Sequence, residues 1–169
     1  MGDKMNKKQK LWCIEILKQA YESKLITEIP AIPVAAQATW ETGYGEGEPI
    51  DIKTKKRSYN LFGIKADPKR GLVGNNGFVQ DWTHEEVNGV KELVLCYFKA
   101  YKAYRDSFND HAKTLKLERY KEAFNHLDNH EQFITEIIKG GYATDSNYVK
   151  NIIPLMRQLN RIPIGLLKL

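Results

Sequence analysis

Asparagine and glycine stand side by side at Asn88-Gly89, between two runs of strand-forming residues at 78–86 and 90–96. Such a pair supplies the positive φ angles that a two-residue hairpin turn needs. This feature commits the middle of the chain to an antiparallel hairpin. The surrounding stretch, 58–96, reads as strands and turns, with a further turn at Asn75-Asn76-Gly77. The ends of the chain read differently.

Leu11, Ile14, Leu17 and Tyr21 recur at helical spacing, and Trp12, Ile16 and Ala20 widen the stripe into an amphipathic helix. Residues 1–10 are charged and polar and read as a flexible tail. Pro30 and Pro33 stop the first helix, and 34–41 forms a second, short one. Its alanines, Ala35, Ala36 and Ala38, suit close packing and burial. Gly43, Gly45 and Gly47 end it. After Cys96 helical patterns return at 101–115, at 119–127, at 128–139 with Asp128 as cap and Glu131 three residues on, and at 145–160 with a kink or early end at Pro154. Helices, an inserted β-lobe over 58–96 and helices again make an α+β fold. With 169 residues, 42% of them hydrophobic, the chain is expected to form one domain over 1–169.

The formal charge is +5, with a pI of about 9.1, which favours polyanionic partners. No continuous apolar run has the form of a signal peptide or reaches the length of a membrane span. Cys13 and Cys96 lie in apolar patterns and read as two buried thiols, not a disulfide framework. His126 and His130 are separated by a turn signal and lack a third ligand, so no metal site is expected. No phosphate loop, dinucleotide fingerprint or nucleophile elbow is present.

Chemistry concentrates in Ala35-Ala36-Gln37-Ala38-Thr39-Trp40-Glu41-Thr42-Gly43-Tyr44-Gly45. A carboxylate at the end of an apolar helix, flanked by Trp40 and Tyr44, should hold its proton to higher pH than usual. A general acid working near neutrality needs that property. The glycines after it let the chain turn sharply and leave room for a bulky substrate.

This segment resembles the catalytic helix of the bacterial glucosaminidases, glycoside hydrolase family 73. The resemblance continues at Ser58-Tyr59-Asn60-Leu61-Phe62-Gly63-Ile64-Lys65, at Phe98-Lys99-Ala100-Tyr101 with Asp106-Ser107 and His111, and at Gly140-Gly141-Tyr142-Ala143-Thr144-Asp145 with Tyr148 beyond. These blocks run in the family's order over about 32–152. The resemblance implies a lysozyme-like fold, a helical lobe and a β-lobe with a groove between them. It implies hydrolysis of the β-1,4 bond after N-acetylglucosamine in peptidoglycan, with Glu41 as general acid. Thr83-His84-Glu85 before Asn88-Gly89 matches the family's second carboxylate, so Glu85 is favoured over Glu86, which lies on the opposite face of a strand. Tyr142 matches a tyrosine beside the acid. Tyr44, Tyr59, Asn60, Phe62 and Gln37 are implied as substrate-binding residues, with Tyr44 where tryptophan is common. Asp106-Ser107 reads as structural.

Retaining, inverting and substrate-assisted routes remain open, as do a muramidase or lytic transglycosylase on the same scaffold and a non-catalytic wall-binding or virion module. The hydrolase reading needs no metal and no organic cofactor. It expects peptidoglycan glycan strands as partner, no nucleic acid, no membrane insertion, a monomer, and action at the bacterial cell wall. A phage lysin, a virion-associated enzyme or a domain of a longer autolysin suits the lack of a signal peptide.

Overall fold

The computed structural model describes residues 5–87, 89–143 and 147–167. Among the described residues five α-helices pack around the main apolar core, and a two-stranded hairpin rises beside it. The elements are α1 Lys7–Thr27, α2 Ala31–Thr42, β1 Phe78–Val87, β2 Val90–Lys99, α3 Tyr104–Leu115, α4 His130–Lys139 and α5 Tyr148–Leu159. Short 3-10 turns lie at Pro68–Arg70, Glu118–His126 and Ile164–Leu166.

The amphipathic stripe of α1 buries Cys13, Ile16, Leu17 and Ala20. Within the expected tail over 1–10, residues 7–10 are helical. Asn6 caps α1 by accepting the Gln9 amide, and the Gln9 side chain reaches back to the Asn6 amide. This capping box makes a polar segment helical from Lys7 onward.

The helix carrying Glu41 begins at Ala31, earlier than expected, because Pro33 occupies its first turn. There a missing N–H removes no helical bond. Ten of the twelve residues of α2 are buried, and α1, α4 and α5 all pack against it. Alanines on several faces permit this, since a helix apolar all round can be surrounded. Gly43 ends it in a left-handed conformation, φ 54°. Gly45 follows at φ 87°, and a Cβ there would stand 2.1 Å from the Trp12 ring nitrogen. Only glycine lets the chain leave α2 along that ring.

The hairpin is longer and the rest of the β-lobe less regular than the strand pattern over 58–96 implies. Pairing runs from Phe78 opposite Lys99 to Val87 opposite Val90, leaving a two-residue loop. Gly89 has φ 78°, as the turn chemistry requires, while Asn88 lies outside the described residues. Residues 58–77 hold only isolated bridges, including Lys65 with Phe98 and Gly74 with Gly77. Asn60 explains why. Its side chain donates to the Ile64 and Lys99 carbonyls and accepts the Phe62 and Ile64 amides, replacing a strand ladder with a side-chain clasp. Val79, Phe98 and Ala100 form a second small core beneath the hairpin.

In the C-terminal half α3 starts at Tyr104, and Asn129, not Asp128, caps α4 by accepting the Gln132 amide. The segment expected as a helix over 119–127 is a 3-10 turn. Helix α5 starts at Tyr148 and runs through Pro154, which faces solvent. Thr144 and Asp145 lie outside the described residues. Both cysteines are free thiols; Cys13 is buried and Cys96, expected to be buried, is only partly so. Among the described residues no helix is long and apolar enough to cross a membrane.

Candidate active site

The end of α2 meets the hairpin at a cavity of about 210 Å³. Glu41 contributes from the helix, Phe62 from the loop held by Asn60, and Asp81 and Thr83 from β1. A larger, mostly apolar groove of about 310 Å³ opens between α2 and α5, beside Trp40, Tyr44, Leu155 and Gln158. It holds no carboxylate, whereas the smaller cavity does.

Glu41 is exposed along the open side of the cavity, while protein crowds the carboxylate on its other sides. Burial therefore pushes its pKa up, and a hydrogen bond from Tyr148 partly opposes the rise. Tyr148 Oη donates to Glu41 Oε1 at 3.0 Å. The cause differs from the flanking aromatics proposed from sequence. Trp40 and Tyr44 face the other groove, and the Tyr44 ring meets Trp12 edge-on at 6.4 Å.

Behind the acid stands a chain of rings. Tyr148 lies 6.0 Å from Tyr142, Tyr142 lies 5.6 Å from His111, and His111 stacks on Phe62 at 3.7 Å. Phe62 returns to the cavity wall. Burial, followed by the Glu41 charge, pushes the Tyr142 phenol well above its ordinary pKa, so it stays protonated. Tyr148 is raised mainly by burial as well. His111 is pushed down to about 3 by burial, against a weaker opposing pull from Asp110, and is neutral over the working range of most enzymes. Its Nε2 lies 3.5 Å from the Tyr142 oxygen.

The expected substrate-binding residues divide. Phe62 lines the Glu41 cavity with its neighbours. Asn60 also borders it, but all four hydrogen-bonding positions of its amide are used within the protein, so it shapes the loop and has nothing left for a sugar. Tyr59 is turned toward Tyr104, with rings 5.2 Å apart, and is absent from the cavity wall. Tyr44 lies in the other groove. Gln37, one helical turn before Glu41, is fully buried and cannot touch a substrate. Its amide lies close enough to Tyr148 to favour the ionised phenol slightly, yet neither amide atom completes a hydrogen bond.

Glu85 sits on the face of β1 that carries Asp81 and Thr83, farther toward the hairpin tip. Its Oε1 pairs with Lys65 Nζ, and it is not part of the cavity wall. The Glu86 side chain lies outside what the structure describes. Ser107 accepts the Leu61 amide at 3.0 Å and is fully buried, which ties α3 to the groove loop. The charged loop after α2 is anchored by Glu48. This buried carboxylate takes Arg57 at 2.6 Å, the Tyr104 hydroxyl at 2.8 Å and the Tyr59 amide at 2.7 Å.

Sequence reasoning missed Tyr148 as the partner of the acid and Asp81 as a cavity carboxylate. Tyr148 carried a signal, since it follows the Tyr142 block. Asp81 carried only its even spacing from Glu85, at a strand position two pleats back.

The chain is similar to known proteins over most of its length. The peptidoglycan hydrolase FlgJ of Vibrio cholerae is 35% identical over 128 residues, which cover 75% of this chain and 36% of that protein. The chain thus spans little more than a third of that relative's length. The C-terminally truncated glycoside hydrolase domain of Salmonella typhimurium FlgJ superposes with a TM-score of 0.75 at 25% identity, covering 92% of this chain and 99% of that one. A mutant peptidoglycan hydrolase from Sphingomonas sp. A1 gives 0.67 at 30% identity, covering 94% and 96%. These structures share the lysozyme-like arrangement of helices and hairpin. Residues 17–161 match the glucosaminidase family, described as mannosyl-glycoprotein endo-β-N-acetylglucosaminidase, and the chain belongs to that family.

Proposed function

We propose that the chain hydrolyses the β-1,4 bond after N-acetylglucosamine in peptidoglycan glycan strands, with Glu41 as general acid. The observation that carries this is a carboxyl group at the cleft between helix and hairpin whose pKa is raised by burial. Family membership and the similarity to the Vibrio cholerae hydrolase supply the substrate class. Glu41 delivers its proton to the glycosidic oxygen as the bond to the anomeric carbon breaks. Tyr148 holds the carboxyl in place. The protonated Tyr142 phenol stands one ring behind it, able to donate to a sugar acetamido group or to the attacking species once the Glu41 side is occupied. Phe62 offers an apolar wall to the C–H face of a sugar. Glu85, on the same face of β1, is the assisting carboxylate that the family resemblance points to. The setting is the bacterial cell wall, as a wall-degrading enzyme or one domain of a longer one.

Digestion of purified peptidoglycan, with the new sugar ends reduced and identified by mass spectrometry, tests this reading. Reducing N-acetylglucosamine ends are expected. Reducing muramic ends would move the cut to the other bond, and anhydro ends would make it a transglycosylase. No release from several wall types would leave a binding module. Glu41→Gln should lower turnover roughly 100- to 10,000-fold while the melting curve stays in place. A variant that still turns over normally removes Glu41 from the chemistry.

A further inference from the structure

The carboxylate that shares the cavity with Glu41 is Asp81, not Glu85. Alternate residues of β1 point the same way, so residues 79, 81, 83 and 85 lie on one face. Val79 is fully buried, which turns that face toward the protein. Asp81 and Thr83, with Trp82 and Phe98, line the cavity from the hairpin, and Glu41 and Phe62 line it from the helix and the groove loop. Glu85 stands four residues farther along, roughly 13 Å at 3.3 Å per residue, and is engaged by Lys65.

Asp81 is also held in place. Its Oδ2 accepts the Ile50 amide at 2.9 Å, and its Oδ1 accepts the Trp82 amide at 2.8 Å. The Ile50 bond ties the side chain to the segment that includes Pro49, itself part of the cavity wall. Each carboxylate oxygen has room for more than one donor, so both keep accepting capacity. A carboxylate fixed in this way needs little reorganisation when charge develops in front of it.

We infer that Asp81 is a second catalytic carboxylate, facing the sugar across from Glu41 and stabilising positive charge at its anomeric carbon. The inference rests on the glycosidase reading above. As the glycosidic bond breaks, its electron pair leaves with the oxygen that Glu41 protonates. The sugar ring is left with oxocarbenium character, which a nearby carboxylate stabilises. Water then adds its oxygen to the anomeric carbon and releases a proton that restores Glu41. Asp81 takes up no proton and forms no bond in this scheme.

The test compares purified Asp81→Asn, Asp81→Ala, Glu85→Gln and Glu41→Gln with the wild-type chain, by kcat and KM on solubilised glycan strands and by thermal melting. Asp81→Asn should lose about 100-fold or more in kcat, with KM within about threefold and the melting temperature nearly kept. Azide or formate should restore part of the turnover of Asp81→Ala, because a small anion can re-enter the vacated position. Glu85→Gln should lose less than Asp81→Asn. The inference is overturned if Asp81→Asn works within threefold of wild type. It is overturned equally if both Asp81 variants unfold, or if their loss follows melting temperature and no anion restores it, since Asp81 then only holds Ile50. Should wild type release no sugar at all, the glycosidase reading fails first. A dead Glu41→Gln beside a fully active Asp81→Asn removes this inference alone.

Discussion

Helix α2 and the hairpin face each other across the cavity, and they are built in opposite ways. Helix α2 is enclosed by three other helices, and Ala35, Ala36 and Ala38 sit at zero exposure. The hairpin pairs mainly with itself. Its inner face buries Val79 and Phe98, while its outer face leaves Phe78, Trp82, Leu93, Leu95 and Tyr97 exposed. Backbone bonds from loop segments reach its base, where Ile52 and Ala66 donate to β1 and β2 carbonyls, and farther out the loop residue Lys65 pairs with Glu85. The acid thus rides on the most constrained element of the fold, and the opposing wall on one of the least constrained. Proton delivery needs an acid fixed to a fraction of an ångström, which a packed helix supplies. A wall that must admit a long polymer gains from few packing constraints.

The sharpest way to break this comparison is to overfill α2. Ala36 is fully buried, so Ala36→Leu must push α1, α4 or α5 away. A loss of about 3 kcal/mol is expected in denaturant titration, near the upper end of what overpacking costs. A loss below 1 kcal/mol would show that α2 has slack and that its enclosure does not fix Glu41.

Acid should attack the same lobe through His111. In the folded state its pKa is about 3, against about 6.5 when unfolded. Between these values the unfolded chain binds a proton that the native chain does not, so stability falls as pH falls. The slope from this residue is about 1.4 kcal/mol per pH unit below pH 6. Asp110, lowered to about 2 chiefly by its Lys113, Lys99 and Tyr101 hydrogen bonds against opposing burial, adds loss in the same direction only below its ordinary range. Replacing His111 by Asn should flatten the curve between pH 6 and 4, read from urea midpoints at each pH. An unchanged slope would mean that His111 is protonated in the native state and that the ring chain behind Glu41 is wetter than its packing indicates.

Much of this architecture was legible in the sequence because local chemistry and global fold agree there. The Asn-Gly signal at 88–89 marked where the hairpin closes, between Val87 and Val90, and the alanine run announced the buried helix that carries Glu41. Misreadings arose where a residue's partner is distant in sequence. Asn60 looks like a sugar ligand until its Lys99 carbonyl partner, 39 residues away, is seen. Gln37 looks available until α5 covers it, and the Tyr148 contact with Glu41 spans 107 residues. Tyr44 follows Glu41 closely, yet the left-handed turn at Gly43 sends it to the opposite side of α2. Periodicity reports which face of an element is apolar, not which neighbour fills the space beyond it.

The Tyr148 contact yields a smaller, more specific effect. Its hydrogen bond favours ionised Glu41, opposing the rise caused by burial. Tyr148→Phe removes that opposition, so the Glu41 pKa should rise further. A general acid must be protonated to act, so the alkaline limb of the kcat profile should move to higher pH, with maximal kcat changed less than about tenfold. A limb that moves to lower pH would show that Tyr148 stabilises the protonated carboxyl instead.

The smallest effect should come from the hairpin's outer face, and it tests the other half of the comparison. Leu93 is 57% exposed on β2, opposite His84. Truncating it removes little buried surface, and threonine brings the β-branched shape that strands favour. Leu93→Thr should therefore change stability by no more than about 0.5 kcal/mol, the range of ordinary surface substitutions. The same chemistry inside α2 would cost several times more. Should Leu93→Thr cost more than 1.5 kcal/mol in a dilute thermal melt, the outer face must be covered in solution. The hairpin would then be as constrained as the helix it faces, and the contrast between a fixed acid and a loosely held wall would fail on the β side.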